Sequence, residues 1–257
     1  MASIEYTTEG KVAIFRINRP EKLNILDLAA MKDLTARLLE FRDDDGLWVG
    51  ILTGTGDKVM SAGVDIDDYL GLVRASTTTK WRRPEAIMRR MSLWKPMIAA
   101  CNGLTIGGGL ELALACDIMI AAEHATFALP ETRLGISPGG GGLARLPRTV
   151  PRRLAAELLF TGKAIDAREA HRIGLVNRVV PGAELMDAVL TLAREICECG
   201  PLAVRYVKEA MYRMEGMTMD EALRFEQDIA THLFATEDSK EGFAAFREKR
   251  KPEWKGR

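Results

Sequence analysis

The 257-residue sequence is short of the residue types that carry the common metal, redox and nucleophilic chemistries, with three histidines and four cysteines. Cys101, Cys116, Cys197 and Cys199 follow no zinc-ligand spacing and are too few for a disulfide framework at this length. They read as core or surface thiols. His124, His171 and His232 have no partner pattern that suggests catalysis, so each reads as a surface or capping residue. An excess of charge is also missing: Lys plus Arg and Asp plus Glu both count 36, so no long-range field recruits nucleic acid or an acidic membrane. No uninterrupted apolar stretch spans a bilayer, because residues 98–122 are broken by Glu111, Asp117 and four glycines. The N-terminal MASIEYTTEGKVAIFRI lacks both the basic start with an apolar block and the Arg/Ser-rich pattern of targeting segments, so a cytoplasmic location is expected. Solenoid-type repeats and low-complexity segments are absent too.

The pattern along the chain is that of an α/β protein. Residues 3–18 alternate as two strands around Glu9-Gly10. From Asp27, a plausible N-cap, LAAMKDLTARLLEF places apolar residues at helical spacing, and Asp43-Asp44-Asp45-Gly46 closes the helix. The acidic triplet reads as a solvated turn, not as a metal site. Residues 48–53 form a buried strand, followed by a glycine-punctuated loop over 54–63. Further strands are expected over 97–101 and 117–121, with a helix opening at Gly107 between them. After Pro151 the patterns are predominantly helical. A boundary near 180–182 divides a core of residues 1–181 from a helical region 182–257, whose apolar faces call for a partner subunit.

The chemistry concentrates in residues 98–131, IAACNGLTIGGGLELALACDIMIAAEHATFALPE. Glu111 lies among Leu110, Leu112, Ala113, Leu114 and Ala115, where an ionised side chain is heavily penalised unless it is paired. Gly107-Gly108-Gly109 comes after a strand and loop and before this helix, so free amides converge at the positive end of a helix dipole. Such a place stabilises an oxyanion; close helix packing would explain the same glycines equally well. A dinucleotide fingerprint fails, since Leu112 stands where glycine or alanine is required. A second set of amides lies in Met60-Ser61-Ala62-Gly63-Val64-Asp65-Ile66, where small residues admit a ligand to the main chain. The Gly135-Ile136-Ser137-Pro138-Gly139 run matches a hydrolase elbow by letter, but the residue after the serine must donate an N–H and Pro138 has none. Glu131, taken alone, is an unremarkable loop carboxylate. If it shares one small volume with Glu111, the two cannot both ionise easily, which leaves an acid beside a base.

At these residues the chain resembles the enoyl-CoA hydratase/isomerase family, the crotonase superfamily. The likeness runs through NRPEKLNILD, SAGVDI, AACNGLTIGGGLELALACDI, LPETRLGISPGGGGLARLPR, TGKAIDAREAHRIGLVNRVV and KEGFAAFREKRKPEWKGR. It implies a crotonase-like spiral of ββα units with a helical C-terminal region, assembled as a homotrimer or a hexamer built as a dimer of trimers. It further implies that the amides of Val64 and Gly108 form an oxyanion hole for an acyl-CoA thioester. Glu111 and Glu131 fall on the family's two water-handling glutamates, and Lys22, Leu23, Ala62, Asp65 and Ile66 line the CoA site. The implied activity is reversible hydration of a 2,3-enoyl-CoA to a 3-hydroxyacyl-CoA, with no metal or redox cofactor, CoA being part of the substrate. Departures are Ser137 and Gly140, where many relatives carry an aliphatic residue and alanine, and Val64, where alanine is common. Residues 71–84 correspond to a variable region in which acyl specificity is expected. Two rival readings are a Δ3,Δ2-enoyl-CoA isomerase using Glu131 alone and a catalytically idle acyl-CoA- or RNA-binding relative. Residues 27–41 hold only Lys32 and Arg37 as cations, which disfavours the RNA reading.

Overall fold

The computed structural model describes residues 2–68, 71, 87 and 91–257. The hairpin expected at the N-terminus is β1 (Ile4–Glu9) paired antiparallel to β2 (Val12–Ile17). α1 (Leu28–Asp43) follows, its N-cap Asp27 accepting a hydrogen bond from the Ala30 amide at 2.8 Å. Ala30, Leu34, Leu38 and Phe41 form its buried stripe at the three- and four-residue spacing of one helix face. The acidic triplet is exposed, with Asp43 the last residue of α1 and Asp45 opening the turn that follows. Beneath it the buried Lys95 donates from Nζ to the carbonyl oxygens of Phe41 and Asp44, capping the helix end. Burial lowers the Lys95 ammonium to about 8.

From there the chain winds as a spiral that gives strands alternately to two sheets. β3 (Val49–Gly54) enters the first sheet and β4 (Val59–Ser61) the second; β5 (Met97–Cys101) and β6 (Leu104–Ile106) repeat the step. After α2 (Gly108–Ala113), β7 (Ile118–Ala122) and β8 (Thr126–Ala128) repeat it again. α3 (Gly142–Thr149), α4 (Arg152–Thr161), β9 (Ile165–Asp166), α5 (Ala167–Arg172) and β10 (Arg178–Val180) complete the turn. The six-stranded sheet has the order β1-β2-β3-β5-β7-β10 and is parallel from β2 onward. The four-stranded sheet has the order β4-β6-β8-β9. Every residue of β3 and β5 is buried, as expected of parallel strands covered on both faces.

One core lies between the sheets and their helices, with Phe15, Phe41 and Phe127 among its largest fully buried side chains. The opposite face of the large sheet is covered by α6 (Leu185–Cys197), which buries Leu185, Val189 and Ala193 against Val49, Ile51, Ile98 and Ile120. α7 (Pro201–Met214), α8 (Met219–Phe234) and α9 (Glu237–Glu248) follow, and α8 buries none of its residues. The terminal tail folds back: Asp238 accepts from the Lys255 and Gly256 amides, and Trp254 Nε1 donates to the Glu198 carbonyl.

The strand read over 117–121 runs one residue later, because the Asp117 carboxylate is used to accept the Met97 amide at 2.7 Å and to pair with Lys208 at 2.7 Å. The loop read over 54–63 contains β4, whose three residues are too few to reveal an alternation. Apart from Gly71, the segment 71–84 lies outside the described residues. Among the described residues, no helix is long and apolar enough to cross a membrane.

Phe41 meets Phe15 edge-on with centroids 5.7 Å apart and supports the α1 end that Lys95 caps. Phe41→Ala is expected to lower unfolding stability by about 3–5 kcal/mol, the usual range for emptying a buried aromatic site, measured by urea titration.

Candidate active site

Two chain segments meet where β4 ends and α2 begins. A Cβ at Gly109 would lie 2.2 Å from the Ser61 carbonyl oxygen, so only glycine lets these main chains touch. Gly63, at φ +108°, would place a Cβ 3.1 Å from the Gly108 nitrogen, and a Cβ at Gly108 would sit 3.3 Å from the Val64 nitrogen. The Val64 and Gly108 amides are thereby neighbours. Val64 bridges Leu26 through its flanking groups: Leu26 N–H donates to the Gly63 carbonyl and Asp65 N–H to the Leu26 carbonyl, at 2.8 and 2.9 Å. That alternation turns Val64 N–H to the other side, while Gly108 N–H belongs to the first turn of a helix and has no intrahelical acceptor. Among the described residues, neither amide has an acceptor.

Glu111 lies one turn into α2 and is 5% exposed. Its Oε1 accepts the Gly140 amide at 2.6 Å and the Gly142 amide at 2.9 Å. Gly142 is required here by space as well as for its donor: a Cβ there would lie 3.2 Å from that same oxygen and 2.9 Å from Pro138 Cβ. Glu131 stands in the 3-10 helix Pro130–Leu134 that follows β8. A Cβ at Gly107 would approach its Oε1 to 3.2 Å, and the Gly107 amide is tied to the Ala128 carbonyl at 2.9 Å, so β8 and α2 fix the two glutamates relative to each other. Glu131 Oε2 is buried and has no hydrogen-bond partner among the described residues. Burial pushes the Glu131 carboxyl up to about 7; its own amide opposes this and the Glu111 charge adds to it. The site thus holds an acceptor carboxylate, a carboxyl that keeps its proton near neutrality, and two unengaged amides.

The other residues singled out from sequence fall as follows. Lys22 ends an exposed 3-10 turn, and the Leu23 carbonyl accepts the Ala62 amide at 3.0 Å, which joins residues 22–26 to 61–66. Ile66 is half-exposed, and Asp65 Oδ1 caps the Asp67 and Asp68 amides. Ser137, read as a turn residue, is exposed and lies in irregular chain between the turns at Gly135 and Gly139. The three histidines bond to main-chain carbonyls: His124 to Asp57, His171 to Val176 and His232 to Asp228. Cys101 and Cys116 are buried, and their thiols are pushed up, Cys101 to about 12. No group of three His, Cys, Asp or Glu among the described residues could hold a metal ion. Sequence reasoning missed the donors to Glu111. The glycine run was visible, but its amides act across 29 and 31 residues of chain.

A spiral that alternates strands between two sheets and carries a glycine-opened helix with two glutamates beside it defines the crotonase-like fold. Known proteins agree. A structure of enoyl-CoA hydratase from Mycobacterium tuberculosis H37Rv superposes with a TM-score of 0.92 at 35% identity, covering all of both chains. The enoyl-CoA hydratase structure from Bacillus anthracis gives 0.90 at 38%, covering 99% of this chain and 100% of that one. The short-chain-enoyl-CoA hydratase of Clostridium acetobutylicum is 42% identical over 95% of this chain and 94% of its own length. The carnitinyl-CoA dehydratase of Escherichia coli (strain K12) is 39% identical over 99% of both. The family model for enoyl-CoA hydratase/isomerase matches residues 7–257. The chain belongs to the enoyl-CoA hydratase/isomerase family.

Because the folded-state Glu131 carboxyl holds its proton to about 7 while the unfolded one releases it near 4.5, the native state binds more protons between these values. Its stability therefore declines as pH rises through that window. Glu131→Gln, which cannot ionise, is expected to match the wild-type unfolding midpoint near pH 4, below both values, and exceed it at pH 8. Denaturation at both pH values tests this.

Proposed function

We propose that the protein is an enoyl-CoA hydratase that reversibly adds water across the double bond of a 2,3-enoyl-CoA thioester. The observation that carries this reading is the unequal pair of glutamates beside two amides that lack acceptors among the described residues. In it, Val64 and Gly108 N–H donate to the thioester oxygen. As the Glu111 carboxylate takes a proton from water, the water oxygen bonds to C3 and the π electrons move to C2 and the carbonyl, giving an enolate. The two amides stabilise that charge, each by about 3–4 kcal/mol if acyl-transfer enzymes are a guide. Glu131, protonated near neutral pH, delivers its proton to C2, and the thioester carbonyl re-forms. Dehydration runs the same steps backward with the roles exchanged.

CoA enters as part of the substrate, against Lys22, Leu23, Ala62, Asp65 and Ile66, and the reaction uses no metal or redox cofactor. The names of two relatives, one an enoyl-CoA hydratase and one a carnitinyl-CoA dehydratase, support hydro-lyase chemistry on a CoA thioester. Glu111→Gln and Glu131→Gln are each expected to cut crotonyl-CoA hydration by about 10²–10⁴-fold while CoA-ester binding persists. Wild-type rates in either variant would overturn the reading. An isomerase using Glu131 alone would tolerate Glu111→Gln.

The division is a core of 1–181 carrying the site and a region of 182–257 that assembles subunits. Since α6 is engaged on the sheet, assembly falls to α7–α9, where Val207, Met211, Met219, Leu223, Phe234, Phe243 and Phe246 are exposed. The protein is a cytoplasmic homotrimer, or a hexamer of paired trimers. Sedimentation velocity at micromolar concentration is expected to give one of these masses; a stable monomer would contradict the assembly.

A further inference from the structure

The two amides of the site are useful only if they point at one spot, and one of them sits on a loop outside any helix. Val64 N–H shares a planar peptide with the Gly63 carbonyl, and in a trans peptide the two point in opposite directions. Whatever holds the Gly63 carbonyl therefore aims the Val64 N–H. Leu26 N–H holds that carbonyl at 2.8 Å. The next peptide back ends in the Gly63 N–H, which donates to Ser61 Oγ at 3.1 Å. The same hydroxyl donates to the Asn24 carbonyl at 2.8 Å.

Ser61 thus joins the loop to a fixed point. Asn24 is fully buried; its Nδ2 donates to the carbonyls of Thr55 and Val59 at 3.1 and 2.8 Å, and its Oδ1 accepts the Arg19 amide at 2.9 Å. On the opposite side, the Ser61 main chain is pressed against Gly109, the residue following the second amide donor. Ser61 itself is fully buried, so no water replaces its hydroxyl.

We infer that Ser61 is a positioning residue of the reaction: its buried hydroxyl ties the peptide before Gly63 to the Asn24 carbonyl, as Leu26 N–H ties the peptide after it, and with both peptides held the rotations of Gly63 are restrained and the Val64 amide stays aimed at the thioester oxygen beside Gly108. This rests on the proposed oxyanion hole and adds to it a side chain that never touches the substrate. Oxyanion donors act through fixed geometry, so a donor free to swing loses stabilisation in the transition state before it loses substrate binding. Ser61→Ala removes both hydrogen bonds while adding no atoms.

The test uses the full-length enzyme, crotonyl-CoA for kinetics, and butyryl-CoA labelled with carbon-13 at the carbonyl for infrared spectroscopy, since a saturated ester binds without being hydrated. In the wild type, the carbonyl stretch is expected to fall on binding. In Ser61→Ala, this fall is expected to shrink and kcat to drop by about ten- to a hundredfold, less than the ~10²–10³-fold loss of a whole donor. KM, butyryl-CoA affinity and the pH profile should stay close to wild type. If Ser61→Ala does not fold, Ser61→Cys, which retains a weak donor, is expected to show the same loss in smaller measure. An unchanged carbonyl shift and kcat in the variant overturns the proposal. So does a parallel loss of ester affinity and kcat with the carbonyl shift intact in the ester that still binds, the mark of a purely structural role. A wild-type enzyme that leaves the carbonyl stretch where water leaves it overturns the oxyanion-hole assignment itself, and this inference with it.

Discussion

The contact between the end of β4 and the start of α2 is the constraint on which the site depends. At Gly109 and Ser61 the two main chains approach so closely that a single methyl group would separate them, and Gly63 and Gly108 repeat the condition one step away. The spiral makes the contact possible, because it delivers β4 and β6 to the same small sheet as adjacent parallel strands. β6 then leads through Gly107, at φ +56°, straight into α2. Two amides from segments more than forty positions apart become neighbours as a result. Neither a helix end nor a small-residue loop brings two amides together alone; their meeting sets the Val64 and Gly108 amides side by side.

The two glutamates illustrate how position alone divides chemically identical groups. Glu111 is the more deeply buried, yet it is supplied with main-chain donors from the 139–142 loop. Glu131 is half-buried but has a carboxyl oxygen without a partner among the described residues, and it stands in the field of its neighbour. Burial that is compensated gives an acceptor; burial that is left uncompensated gives a carboxyl that retains its proton. One passage of chain does both tasks, since Pro130–Leu134 carries Glu131 at its start and Gly140 and Gly142, which hold Glu111, stand at its end. Its serine at 137 faces solvent and takes no part.

The periphery follows a different logic. Lys95 and Lys208 link α1, the chain entering the central strands β5 and β7, and α7 through carbonyl oxygens and Asp117, so the C-terminal helices are tied to the core by directed polar contacts. α6 is tied by apolar burial. Beyond these, α8 rests chiefly on α7 and more lightly on α9, with Phe234 and Phe243 stacked 6.1 Å apart, and the returning tail is held by Asp238 at the start of α9.

The long elements were legible because their periodicity is local: the hairpin of residues 4–17, α1 with its Asp27 cap, and the uniformly apolar β3 and β5 announce themselves within a few residues. The short strands β4, β6 and β9 were not, since two or three residues carry no readable period and are strands only because partners pair with them. The anomaly of Glu111 in an apolar helix, the impossibility of a hydrolase elbow at Pro138 and the glycine clusters were all written in the sequence, as was the family resemblance. The sequence by itself therefore determined the family and the class of fold, and pointed to Glu111, Glu131 and the two glycine-flanked loops as candidates for the chemistry. Only the tertiary structure decided that Gly140 and Gly142 hold Glu111, that Glu131 keeps its proton, and that Ser61 and Asn24 steady the Val64 loop. The physical reason is the same in each case: desolvation and main-chain hydrogen bonding act between atoms that are neighbours in space, and the chain separates those atoms by tens of residues.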